Sequence, residues 1–294
     1  MMRAVLRLGR EKKINRSLPV DLALFVILAA VGAFMAVPFV FMISTALKSL
    51  DELFLFPPTF IVRNPTFDNF YDLFLIFSNS WVPLTRYMFN TVFVSFAGTA
   101  GHVVLASMAA YPLAKLKIPG RNFLFSLVVL SLMFAPQVTA IPNYLTVSWI
   151  GLLDSYGSLI LPAFATSLGL FLMKQFMEQI PDSLLEAAKI DGASEYRIFW
   201  QIVMPIVRPA WLTLIIFSFK GLWGTGGGSQ GASYIYSEQL KTMDYAFSQI
   251  ISGGFARSGP MAAATLIMMI VPIAIFVFTQ SNVIQTMSTS GMKD

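Results

Sequence analysis

Apolar residues gather in six long stretches, 22–43, 88–113, 123–140, 157–173, 207–223 and 260–279, separated by segments that carry nearly all the charge. A helix needs about 20 predominantly apolar residues to cross the hydrocarbon of a bilayer, where unpaired backbone groups find no water. The pattern therefore predicts an all-α polytopic membrane protein with about six transmembrane helices. The first stretch is uncharged and long, the second encloses His102, and the third is broken by Pro136. The fourth and fifth are the short ones. The first run outlasts the apolar core of a signal peptide, and no small-x-small site closes it, so it is expected to stay in the mature chain.

Composition agrees with the pattern. Of 294 residues, 56% are hydrophobic and 12% are charged, against about 25% charged in soluble domains. The mean hydropathy is +0.70. A net charge of +5 could suggest nucleic acid, but the basic residues are scattered between apolar runs, not clustered on one face, and no nucleic-acid partner is expected. With no cysteine and one histidine, disulfide frameworks, zinc ribbons, iron–sulfur sites, thiol catalysis and His-rich metal sites are excluded together.

Charge also orients the chain. With the N-terminus inside, inner segments and span edges hold fourteen Lys and Arg residues against six outside, which places both termini in the cytoplasm. The expected organisation is a basic cytoplasmic N-terminus at 1–20, a transmembrane domain at 21–281 with a large inner loop at 174–206, and a cytoplasmic tail at 282–294. The basic stretch Arg3 to Arg16 suits either an interfacial helix or a disordered anchor to anionic lipid. Two large outer segments, 48–87 and 224–259, face the other side. The glycine-rich patch 224–231 lacks the Lys and Ser/Thr pair of a phosphate loop and reads as a flexible outer loop.

Transporters driven by protons or ions place carboxylates or histidines inside their spans. Here the spans hold only His102, Lys220 and, at one edge, Arg208. With no acidic partner in any span, His102 reads as a hydrogen-bonded packing residue, not a proton relay. Lys220 has two readings: its stem can snorkel to the interface, or its ammonium can meet an anionic ligand group.

The inner loop carries the most information. Ser183 and Glu186 form a capping-box pattern behind Pro181 and Asp182, predicting a short helix over 184–190. Gly192 can adopt the positive φ that ends it, and Ser194 can cap a second helix running to Met204, where Pro205 stops it. The prediction is helix, turn, helix at the cytoplasmic face.

The stretch EAAKIDGASEYRIFWQIVMPIVRPA resembles the cytoplasmic EAA loop of the permease subunits of binding-protein-dependent ATP-binding-cassette importers. Glu186, Ala187, Ala188, Asp191, Gly192, Ala193, Pro205 and Pro209 stand at the matching places. The segments STALKSLDELF, APQVTAIPNYLTVSWIGLLDS and QSNVIQTMSTSGMKD extend the resemblance, which looks closest to maltose-type carbohydrate permeases. It implies half of a translocation path powered by separate ATPases. Glu186 and Gly192 would meet the ATPase, with Ala187 and Ala188 allowing close approach and Asp191 in the same contact. Consistently, the chain has no G-x-x-x-x-G-K-[ST] motif, so it is expected to be no enzyme and to hold no cofactor, with ATP and Mg bound by the partner. The implied partners are a second, non-identical permease, two ATPase subunits and an extracytoplasmic solute-binding protein.

For the solute path, Asn90, Gln137, Asn143, Tyr144 and Trp223 lie near outer ends of spans and are the polar candidates beside Lys220. Such groups often serve only as interhelical hydrogen bonds. Where maltose-type permeases usually carry a Trp-Asn pair after the fifth span, this chain reads FSFKGLWGTGGGSQGASYIYSEQL. The added Lys220 widens the expectation from a neutral oligosaccharide to an acidic one, with Lys220 meeting a uronate carboxylate. A polyol or peptide carried by the same machinery, a secondary transporter or channel, and a membrane-embedded enzyme are the competing readings.

Overall fold

The computed structural model describes residues 18–78, 81–224 and 234–290. The basic stretch Arg3 to Arg16, the glycine-rich patch beyond Gly224 and the last four residues lie outside them. Among the described residues the chain is helical, with no strand. Helix α1 spans Leu18–Leu47, α2 Leu50–Leu53, α3 Asp68–Ser78 and α4 Leu84–Lys115. Then come α5 Arg121–Ser131, α6 Pro136–Trp149, α7 Tyr156–Phe164 and α8 Ser167–Glu178. Helices α9 Asp182–Ile190, α10 Glu195–Ile198, α11 Met204–Ile206 and α12 Arg208–Trp223 follow, with α13 Met243–Ile251 and α14 Ser258–Ser290 at the end.

All six apolar stretches fall on helices, but the third is bent and a second bend precedes the fifth. Helices α5 and α6 meet at 112°, and the α10–α11 segment meets α12 at 78°. The third stretch is therefore not one straight crossing. Eleven residues of α5 reach only about 16 Å, half the hydrocarbon thickness. Pro136 opens α6 at its first position and turns the chain away.

The expectation that Pro205 stops the second loop helix is corrected. Without an N–H, Pro205 cannot bond the carbonyl four residues back. The helix absorbs the gap as one π turn over Phe199–Val203, with the Met204 N–H reaching the Phe199 carbonyl. The break comes at Val207, where ψ moves to 18° just before Arg208-Pro209. The Trp211 indole then donates to the Met204 carbonyl at 3.0 Å, satisfying a group the break exposes. A similar repair sits on α14. Pro272 lies inside that helix and cannot donate to the Met268 carbonyl, which receives the Trp223 indole N–H at 3.0 Å instead.

Helix α4 is the central post. It packs against α7, α8 and α12, while α1 joins the bundle through α14. Of the most apolar window of α4, 44% is buried, against none for α1, which lies at the edge of the bundle. Small residues let the backbones approach. A Cβ on Gly101 would sit 2.2 Å from Phe164, and one on Gly169 would sit 2.1 Å from His102.

Polar clasps hold the connecting segments at the end of α4 that starts with Leu84. Asn69 donates to the Ala46 and Lys48 carbonyls at 2.9 and 2.7 Å, capping the end of α1. Buried Glu52 accepts the Arg63 and Asn64 N–H groups. Asp154, in a left-handed conformation at φ 57°, accepts the backbone N–H of Tyr236 and Ser237 and the Ser237 hydroxyl. These bonds, the Ser237 hydroxyl first, hold its carboxyl below the usual carboxylate range.

Two outcomes follow. Trp223→Phe keeps an aromatic ring but orphans the Met268 carbonyl. It is expected to cost about 1–3 kcal/mol, read as a lower midpoint of thermal unfolding in detergent. The Asp154 clasp has a depressed folded-state pKa, so its stabilisation is present above the ordinary carboxylate range and is lost as pH falls through the lowered value. Hydrogen-exchange protection of the Tyr236 and Ser237 amides should hold at neutral pH and collapse at acid pH, and Asp154→Ala should abolish it throughout.

Candidate functional site

Two places combine exposure with built geometry: the short helix α9 at the Lys115 end of α4, and a cavity between α5–α8 and α12.

Helix α9 starts at Asp182, and its N-cap residue is Pro181, which makes no side-chain cap. The capping box expected of Ser183 and Glu186 is thus not formed, because Ser183 is already inside the first turn. Proline sets the entry angle, and Asp182 places negative charge at the positive end of the helix dipole. The C-terminus matches its expectation. Gly192 takes φ +79°, its N–H reaches the Lys189 carbonyl, and the Ala193 N–H reaches the Ala188 carbonyl. This pair of bonds is a Schellman closure, which needs a left-handed residue at the Gly192 position. Ser194 then accepts the Arg197 N–H and caps α10.

The two faces of α9 differ. Leu185 and Ala188 are buried in a core with Ala110, Tyr111, Met177 and Ile198. On the other side Leu184 is 42% exposed, Ala187 is exposed and Ile190 is 86% exposed. Glu186, Asp191 and Gly192 are exposed around that stripe. Of the two alanines expected to allow close approach, Ala187 faces outward and Ala188 packs inward. The exposed Leu184 and Ile190 were not singled out from the sequence, although their spacing around Ala187 marks one helix face.

Beneath α9 lies a cleft of about 390 Å³, lined by Tyr111, Lys115, Lys117, Leu185, Glu186 and Lys189. Lys115 forms an ion pair with Asp182 at 2.7 Å. The Lys115 ammonium, by its hydrogen bond and its charge, holds the Asp182 carboxyl below the usual range.

The cavity is larger, about 800 Å³, and its polar lining includes His102, Ser131, Thr139, Asn143, Thr166 and Ser218. Among the described residues no ionised side chain lines it. Both imidazole nitrogens of His102 are engaged, Nδ1 at 2.6 Å from Ser218 Oγ and Nε2 at 2.7 Å from Thr166 Oγ1. Hydroxyls serve either tautomer, so the ring pins α4 to the α7–α8 break and to α12.

Of the residues read from the sequence as a solute path, Asn143 lines this cavity. Gln137 is exposed beside it, near the start of α6. Tyr144 places its hydroxyl 2.7 Å from that of Tyr236 and stacks on Tyr234, which does line the cavity. Lys220 is exposed on α12, outside the lining, and makes no ion pair or hydrogen bond among the described residues. Asn90 is fully buried and spent: it donates to the Gln239 and Lys241 carbonyls and accepts from the Tyr156 hydroxyl. Trp223 gives its N–H to Met268 and stacks on Phe219. The lining Ser and Thr residues carried no sequence signal, being single hydroxyls in apolar runs.

These two places lie within the part of the chain that matches known proteins. Residues 102–288 match the family described as "Binding-protein-dependent transport system inner membrane component". The chain is 36% identical over 208 residues to Protein LplC of Bacillus subtilis (strain 168), covering 69% of this chain and 66% of LplC. Over 206 residues it is 34% identical to the polygalacturonan/rhamnogalacturonan transport system permease protein YtcP of the same organism, covering 70% of this chain and 69% of YtcP. Its fold matches a solved chain of a bacterial ABC transporter involved in the import of the acidic polysaccharide alginate. The TM-score is 0.76 at 20% identity, covering 91% of this chain and 98% of that one. A match over well over half its length, carrying both the capped helix α9 and the cavity, means that the chain belongs to the family of binding-protein-dependent transport system inner membrane components.

Proposed function

We propose that this chain is one transmembrane subunit of an ATP-driven importer that passes an oligosaccharide across the cell membrane by alternating access. The observation that carries the proposal is α9: a short helix closed by the Gly192 turn, presenting Leu184, Ala187 and Ile190 outward while Leu185 and Ala188 anchor it to the bundle. A rigid element of this kind, docked in a partner with two states, moves with it as a unit. The partner is an ABC ATPase pair that binds ATP and Mg, meeting Glu186, Ala187, Asp191 and Gly192. A second, non-identical permease completes the path, and a solute-binding protein delivers the cargo at the opposite face. The charge asymmetry of the connecting segments supports a cytoplasmic α9 and cytoplasmic termini.

The cavity supports a hydroxylated cargo, since its polar groups are Ser, Thr, Asn and His. YtcP is a polygalacturonan/rhamnogalacturonan permease and the structural neighbour belongs to an alginate importer, so acidic sugars are part of the same reading. Lys220, exposed on α12 outside the cavity lining and unpaired among the described residues, is the cation offered to a uronate along the path.

The direct test is uptake into right-side-out or reconstituted vesicles holding the complete complex, with the binding protein outside and ATP in the lumen. ATP-dependent, binding-protein-dependent uptake of an oligosaccharide is the expected result, and uptake driven by an ion gradient without ATP contradicts the proposal. Gly192→Pro should reduce this uptake to background while the subunit stays in the membrane, because proline forbids φ +79° and removes the N–H that closes the turn. Wild-type uptake by that variant removes α9 from the mechanism. Lys220→Met should lower uptake of a uronate-bearing oligosaccharide and spare a neutral one of equal length. Equal uptake of both before and after the change contradicts the role given to Lys220.

A further inference from the structure

Helix α9 is fastened to α4 at both of its ends. At the first, the Lys115 ammonium donates to the Ile180 carbonyl at 2.5 Å, to Asp182 at 2.7 Å and to the Glu178 carbonyl at 3.3 Å. One cation therefore ties the end of α8 and the start of α9 to the last residue of α4. At the second, the Tyr111 hydroxyl donates to Glu195 Oε2 at 2.6 Å, and Lys189 pairs with Oε1 of the same carboxylate at 2.6 Å. One anion therefore ties the end of α9 and the start of α10 to α4, one turn before Lys115. Charge-assisted bonds of this length hold geometry more strictly than apolar contact does.

Between the tethers lies the cleft beneath α9, lined by Tyr111 and Lys115 next to the core that holds Leu185 and Ala188, so the polar bonds add to that packing at both ends of the helix. Tyr111 and Lys115 are themselves well shielded, Tyr111 at 6% exposure and the Lys115 side chain at 5%. Tyr111 also packs its ring on Phe199 at 5.5 Å, at the π turn. Nine residues before Tyr111 on the same helix, about 14 Å along its axis, His102 lines the cavity and grips Thr166 and Ser218.

We infer that Tyr111 and Lys115 are positioning residues that make α9 and α4 one rigid body, so that a displacement of α9 reaches the cavity through α4. The inference rests on α9 being the element that the ATPase moves. In this arrangement α4 is a push-rod, with the two tethers at one end and the His102 hub further along. Removing a tether lets α9 move without carrying α4, so ATP hydrolysis continues while solute movement falls.

Tyr111→Phe deletes one oxygen and keeps the ring packing, which makes it the cleanest variant; Lys115→Met removes the other tether. In the reconstituted complex, both should retain the ATPase subunits on purification and retain basal hydrolysis, while stimulation by the binding protein, which reaches the ATPases through the same link, weakens. Solute moved per ATP should fall by about fivefold or more, the lower range of coupling between linked sites. The chain has no native cysteine, so spin labels at Ser183→Cys on α9 and Met108→Cys on α4 report the mechanical link without background. Their distance distribution should be narrow with Tyr111 present and broad in Tyr111→Phe. A wild-type transport-to-hydrolysis ratio with an unchanged narrow distribution overturns the inference. Failure of the unmodified chain to retain any ATPase overturns the docking reading of α9 instead, and the label distances still decide whether Tyr111 locks the two helices.

Discussion

A bilayer leaves no water for an unpaired backbone carbonyl, and this chain contains 16 prolines, several of them inside helices. Each such proline removes a donor and frees a carbonyl one turn back. The structure depends on how those carbonyls are met. Tryptophan supplies part of the answer: Trp211 covers Met204 at the break before α12, and Trp223 covers Met268 opposite Pro272. These repairs also lock neighbouring elements, since the Trp223 bond joins α12 to α14. The bend before α12 is thereby a stable feature of the bundle, and the separate α5–α6 bend opens onto the cavity.

Around these bends, α4 gives the molecule one continuous axis. Its small residues admit neighbours closely, His102 joins it to α8 and α12, and its last two turns hold α9 and α10 by one ion pair and one phenol–carboxylate hydrogen bond. The two candidate places, one proposed to face a motor and one proposed to face a solute, are attached to the same helix. Rigid attachment matters because packed interiors switch between discrete arrangements and do not deform continuously. The cavity wall offers neutral hydrogen-bonding groups, while the exposed cation on α12, Lys220, lies outside the lining. Such a division suits a path that must bind hydroxyls weakly enough to release them.

The sequence made local features legible and distant ones opaque. The apolar stretches located every long helix, Gly192 and Ser194 announced the turn and cap they form, and Pro136 announced a break. The direction of that break was hidden, because a proline marks a bend without setting its angle. The capping box failed through one residue of register, since Pro181 is the N-cap and Ser183 already lies within the first turn. Asn90 and Trp223 looked like solute ligands because they are polar groups near span ends. Their partners lie 149 to 151 and 45 positions along the chain, beyond any local window. The outward stripe of α9 was legible in its spacing, but deciding which face is buried required the core it packs against. Tyr111 and Lys115 sit at the end of an apolar run, where nothing local distinguishes a tether from an interfacial anchor.

Everything proposed for this chain turns on α9 as the docking point for a separate motor. The most direct measurement is to tag the chain, purify it gently from native membranes, crosslink at the 174–206 loop and identify what is attached by mass spectrometry. An ABC ATPase joined to that loop, together with a second permease, is the result this account predicts. Recovery of the chain alone, with no ATPase even after crosslinking, would contradict it.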